Sequence, residues 1–210
     1  MKNLKRSVLL LSLAALTCVP AAFGQQKIVK PRASEVAIVG RFSVVPALNS
    51  DFYWQAYDDA TPRKKEKRAE EDAPGMLAFS TVINKKGATR ESSVRMGSLG
   101  DQSVALVTIP ADRTLYLMKY EVYLFNMRAF YLPLPIYCKI VIPEGAHFVY
   151  IGSVDYYTKG EFLDIKDANR RDEFDAAREF VRKNYGEDAQ LVRVNLLDPD
   201  KDKDKEKEKE

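Results

Sequence analysis

The sequence predicts a mainly β fold: an antiparallel β-sandwich, or a partly closed barrel, with one C-terminal α-helix packed on it. Three observations carry that expectation. Apolar side chains alternate with period two in segment after segment, and proline and glycine punctuate those segments. Only one stretch, near the end, repeats with helical spacing.

Glu35 to Val45 reads as the first strand, with Val36, Ile38, Phe42 and Val44 on one face and Glu35, Arg41 and Ser43 on the other. Gly40 falls on the apolar face, where a missing side chain predicts a bulge or a close backbone approach. Further strands are expected at Met76 to Ile83, Ser92 to Met96 and Ser103 to Ile109, with turns at Asn84 to Gly87 and Gly97 to Asp101. Between Thr114 and Tyr157 lie 11 of the chain's 22 aromatic residues (11 Tyr, 10 Phe, one Trp). Thr114 to Phe125 sets Tyr116, Met118, Tyr120, Val122 and Leu124 against a face with Lys119 and Glu121. Pro135 to Ile142 groups Ile136, Cys138, Ile140 and Ile142, which predicts a buried Cys138. After the turn at Pro143-Glu144-Gly145, Phe148, Tyr150, Val154 and Tyr156 are expected on one face, with Gly152 interrupting the row.

The helix is expected from Asp172, its cap, through Phe174, Ala177, Val181 and Tyr185 to the stop at Gly186. Arg182 and Lys183 complement the dipole in its last turn. Gln190 to Leu196 is expected to add a final strand.

Around this domain, residues 35–197, the composition changes. Residues 1–24 read as a secretory signal: Lys2, Lys5 and Arg6, then the apolar Val8 to Leu16, then Ala22-Phe23-Gly24 with cleavage after Gly24. The apolar run is far shorter than the ~20 residues that span a bilayer, and no transmembrane span is expected. Ala15-Leu16-Thr17-Cys18 offers an alternative, lipidation of Cys18 and a lipid anchor. The formal charge of +3 belongs to the signal, because the rest holds 30 basic and 30 acidic residues. That balance excludes a strongly basic nucleic-acid binder. Residues 25–34 read as a linker, 58–75 as an exposed charged loop, and 198–210 as a tail too polar to order itself. The tail's Asp198, Asp200, Asp202 and Asp204 mimic calcium-loop spacing, but Lys203 and Lys209 take the glycine and bidentate glutamate positions.

Chemistry is sparse. The single histidine, His147, has no cysteine partner for zinc, and no nucleophile elbow presents a serine to it. No phosphate-binding glycine loop occurs, and no catalytic residue, metal or cofactor is expected. Neighbouring acids at Asp58-Asp59 and Asp172-Glu173 diverge on either a strand or a helix. The one segment with binding character is Asp51 to Asp59, where Tyr53, Trp54, Tyr57 and Asp58 could form a ligand platform. Packing against the end of the core is the competing role for those rings.

Ile109-Pro110-Ala111-Asp112-Arg113, Ile142-Pro143-Glu144-Gly145 and Phe148-Val149-Tyr150-Ile151-Gly152 together resemble small exported bacterial β-sandwich envelope proteins, often lipoproteins. The style is that of carboxypeptidase-regulatory-like or prealbumin-like domains, although Arg113 stands where those usually carry glycine. The resemblance spans about 50 residues and implies an envelope protein with a binding or structural role. The expectation is an exported, most simply periplasmic, non-enzymatic protein whose partner is an envelope protein or a glycan. An envelope hydrolase with a carboxylate site, or a surface adhesin, is the alternative.

Overall fold

Alternation along Glu35 to Val45 does form the first strand, β1 (Glu35–Val45). The computed structural model describes residues 29–48, 74–82, 89–123, 131–159 and 164–198. β2 (Pro74–Val82), β3 (Thr89–Ser98), β4 (Ser103–Thr108), β5 (Thr114–Tyr123), β6 (Tyr131–Val141), β7 (Phe148–Lys159) and β8 (Asp164–Arg171) follow. The helix α1 (Phe174–Tyr185) and the short β9 (Leu191–Arg193) complete the described elements.

The strands divide into two sheets. One is wholly antiparallel, in the order β3-β2-β5-β6. The other runs β4-β1-β7-β8, with β1 and β7 parallel and β9 also parallel to β7. It is therefore a mixed sheet, where the sequence suggested antiparallel pairing throughout. Between the sheets lies the main core, including Val36, Ile38, Phe42, Leu77, Leu117, Tyr120, Ile140, Val154 and Tyr156. Ile136, Cys138, Ile140 and Ile142 are all buried together, as their spacing predicts. Burial pushes the Cys138 thiol above its ordinary pKa, although Arg170 opposes the shift. A thiol so placed is a poor nucleophile. Native protein should leave Cys138 unmodified by iodoacetamide over a period in which urea-unfolded protein is fully alkylated, as read by mass spectrometry.

Two bulges rephase the strands relative to the sequence reading. In β7 the register against β1 slips between Val39 and Arg41, opposite Gly152 at φ 96°. Val149 and Ile151 face the main core before the slip, and Val154 and Tyr156 face it afterwards. The expected single face of Phe148, Tyr150, Val154 and Tyr156 is thus split, because Phe148 and Tyr150 turn outward to the helix. Gly40 is the close approach the sequence predicts: a Cβ there would lie 2.9 Å from Ile151 Cγ1 and 3.0 Å from the Gly152 carbonyl oxygen. In β5 the slip falls at Met118. Leu115 and Leu117 point inward on one side of it, Tyr120 and Val122 on the other. Tyr116 and Met118 therefore belong to the outer face, and Leu124 lies outside the described residues.

The helix closes a second, smaller core on the outside of the mixed sheet. Ala177, Val181 and Tyr185 pack on Ala37, Val39, Phe148 and Tyr150, with Tyr185 edge-on to Phe148 at 4.9 Å. The cap position falls to Glu173, whose side chain makes no capping bond, and not to the expected Asp172. Asp172 stands one residue earlier, and its Oδ1 accepts the Phe174 N–H at 3.1 Å. Gly186, at φ 114°, donates its N–H to the Arg182 carbonyl. The last strand is shorter than Gln190 to Leu196 because the chain then crosses to the other sheet. There Leu197 and Lys139 exchange backbone hydrogen bonds of 2.8 Å.

That crossing seals the β6 edge. Pro133 and Pro135 offer no N–H, and the Pro135 carbonyl accepts from the Tyr156 hydroxyl at 2.7 Å. The Ile136 carbonyl accepts from Arg170 at 2.8 Å. β2 begins at Pro74, earlier than expected, and Gly75 is buried rather than part of a charged loop. Arg113 takes φ 54° and is held there by donating from Nε to the Ile142 carbonyl at 2.8 Å.

Candidate functional site

On β1, Arg41 and Ser43 occupy the outer side of the mixed sheet, below the N-terminus of α1. Parallel pairing sets Arg41 beside Ser153 and Ser43 beside Asp155. Antiparallel pairing then sets Ser153 beside Arg171. The chain leaves β8 directly into α1, which brings Glu173 over the same patch. The outcome is a closed ring of four charges. Arg41 meets Asp155 at 3.4 Å, and Asp155 meets Arg171 Nε at 2.7 Å. Arg171 meets Glu173 at 3.5 Å, and Glu173 meets Arg41 Nε at 3.1 Å. The Ser43 hydroxyl also donates to Asp155. Asp155 is the most enclosed member, its side chain 9% exposed, and Arg171 the least, at 45%. Beneath the ring the Ser153 hydroxyl is buried without a hydrogen-bond partner. Each positive group lies between two negative ones, so the ring is internally neutral.

A cleft of about 550 Å³ lies against the antiparallel sheet, with Ile165 of β8 contributing from the mixed sheet. Ala78, Phe79, Met118, Lys119, Pro133 and Pro135 line most of it, and Glu91 stands at its β3 end. The β5 bulge helps to make it, since Met118 is turned to this side. The surface is mainly apolar and open. Its charged groups are one lysine, which also pairs with Glu121 at 2.9 Å, and one glutamate.

The residues singled out from sequence are placed unevenly. Tyr53, Trp54, Tyr57 and Asp58 lie outside the described residues, as do Cys18 and the cleavage site after Gly24. His147 is exposed at the entry to β7, and its carbonyl accepts the Ala37 N–H at 2.8 Å. The turn expected over Gly97 to Asp101 is confined to Leu99 to Asp101, because β3 continues through Gly97 and Ser98. Gly97 and Gly100 both take positive φ. Asp172 and Glu173 diverge: Asp172 bonds Arg193, whose guanidinium stacks 4.1 Å over Phe174, while Glu173 joins the ring. Among the described residues, no three His, Cys, Asp or Glu side chains gather as a metal-ligand group. No helix among them is long and apolar enough to cross a membrane.

Sequence reasoning missed the ring. Its signals were present in the polar face of β1 and in the lone acid Asp155 inside the aromatic run of β7. What joins them is a parallel pairing that no local pattern announces. Compared with known proteins, the chain matches no family model, no curated protein and no solved structure.

Proposed function

We propose that this is an exported cell-envelope protein whose sandwich binds a partner and catalyses no reaction. The observation that supports this reading is the cleft on the antiparallel sheet. Proline rings and methionine give contact area to a partner, methionine adapting its shape and the prolines already rigid. Few hydrogen-bonding groups point into it, which suits a polypeptide segment better than a glycan. The hydrolytic alternative would draw on Asp155 and Glu173, the carboxylates brought together most closely. There, arginines and Ser43 engage the carboxylate oxygens that an acid–base pair would need.

Two measurements test the reading. Fractionation with mass spectrometry of the mature N-terminus should find a periplasmic chain starting at Gln25. A lipidated Cys18 in the membrane fraction would keep export and change the anchor, and a cytosolic chain retaining Met1 would refute export. A photo-reactive side chain at position 118 should then give a discrete protein adduct in producing cells. The same group at the exposed Asp188 should not. Equal labelling at both positions would remove the cleft as the binding surface.

A further inference from the structure

We infer that β3 is a self-pairing edge, through which two copies of this chain join their antiparallel sheets. The two outer strands of that sheet are treated very differently. β6 is sealed by prolines, by Tyr156 and Arg170, and by the bridge to Leu197. β3 pairs with β2 on one side and, among the described residues, with no strand on the other. From Thr89 to Arg95 its register against β2 is regular, and it contains no proline. Such an edge presents unpaired N–H and C=O groups, a template for another strand.

Its charges specify which strand. Glu91, Ser93 and Arg95 alternate on the outer face, and all three are exposed. Glu91 and Arg95 have no ion-pair partner among the described residues. Lying four positions apart on a strand, roughly 13 Å, they cannot reach each other within one chain. A second copy running antiparallel about a two-fold axis at Ser93 sets Glu91 opposite Arg95 twice. Two cross-strand ion pairs form at once. Two-fold pairings must keep outer residues opposite outer residues, so the centre moves one residue at a time. Centred on Ser92, Glu91 would face Ser93. Centred on Glu91, the two glutamates would face each other. Only the Ser93 centre satisfies both charges. Arg90, on the inner face, falls beyond the stretch 91–95 that this register needs.

Because Glu91 and Ser92 also line the cleft, pairing here would run two clefts together across the axis. The edge shares Glu91 and Ser92 with the proposed binding cleft. Pairing is read by sedimentation and cleft binding by crosslinking at position 118, so the failure of one is distinguishable from the failure of the other. Sedimentation velocity on the protein as its producing cell processes it should show a monomer–dimer equilibrium. Glu91→Lys or Arg95→Glu alone places like charges opposite and should raise the dissociation constant about tenfold or more at low salt. The double variant carrying both reversals should restore dimerisation. Unchanged thermal melts of these exposed-site variants would confirm that they fold. A chain that is monomeric at every concentration, or a dimer indifferent to the single reversals, would overturn the pairing.

Discussion

Gly75→Ala should destabilise the fold by about 3 kcal/mol or more, a drop in melting temperature on the order of 10 °C. The cause is steric. A Cβ on Gly75 would stand 1.7 Å from the Tyr120 hydroxyl oxygen and 2.0 Å from Cζ, so the ring must move. It has nowhere to go. Tyr120 is fully buried, stacked on Phe42 with centroids 4.5 Å apart, and its hydroxyl donates to the Gly97 carbonyl at 2.9 Å. Displacing it breaks that stack and leaves a buried hydroxyl and a carbonyl unpaired. A double-mutant cycle isolates the contact. Leucine at position 120 ends short of the ring atoms that Gly75 approaches, so Gly75→Ala should cost far less in a Tyr120→Leu background. The difference, read from urea midpoints, should be at least about 2 kcal/mol. Additive costs would show that Gly75 matters for its backbone and not for the ring above it.

The same ring gives the fold an alkaline limit. Burial raises the phenols of Tyr120 and Tyr156 well above their ordinary pKa of 10.0. The unfolded chain ionises these groups near that value while the folded chain holds them neutral. Their contribution to stability is therefore complete below about pH 10 and is lost as the pH rises above it.

How far the sequence carries depends on whether a feature is local. β1 and α1 were legible because each is a regular pattern of one period with its stop signal beside it, Pro46 and Gly186. β5 and β7 were recognisable as strands, but their inward faces were misassigned in half of each. A bulge adds one residue and inverts the alternation beyond it, and nothing near Met118 announces the slip. At Gly152 the glycine does signal an interruption, but not that Phe148 and Tyr150 turn to a second core. β8, with the sequence DIKDANRR, carries almost no apolar alternation, and β7 beside it decides its conformation. Edge strands that bury little leave little pattern to read. The charged ring fails for a further reason. Its four members come from three strands' worth of chain and the first residue before a helix, and only tertiary pairing assembles them.

That ring carries the second large expected effect. Asp155→Ala should cost about 3 kcal/mol, well above an ordinary surface ion pair. Removing this carboxylate leaves Arg41 and Arg171 with Glu173 alone between them, and strips the Ser43 hydroxyl of its acceptor. Arg41 suffers most, because its side chain is only 23% exposed and hydrates poorly where it stands. Arg171, at 45%, can turn towards water, so Arg171→Ala should cost less than half as much. Pairing the first change with a second separates burial from attraction. In Asp155→Val with Arg41→Met the stranded guanidinium is gone and apolar atoms fill part of its place. That double variant should be more stable than Asp155→Ala alone, as expected when the penalty comes from an unpartnered charge. Urea unfolding at low and high salt checks both parts, since 1 M salt screens the exposed side of the ring more than the enclosed one. An Asp155→Ala cost below about 0.5 kcal/mol would mark the ring as solvated surface and remove any role for it in fixing α1 against the sheet. If the cost is large and falls mostly on α1, seen as early loss of helical signal, Glu173 is the link. It ties the helix N-terminus to three strands, through Arg41 of β1, Arg171 of β8 and its N–H donated to the Tyr150 hydroxyl of β7 at 2.7 Å.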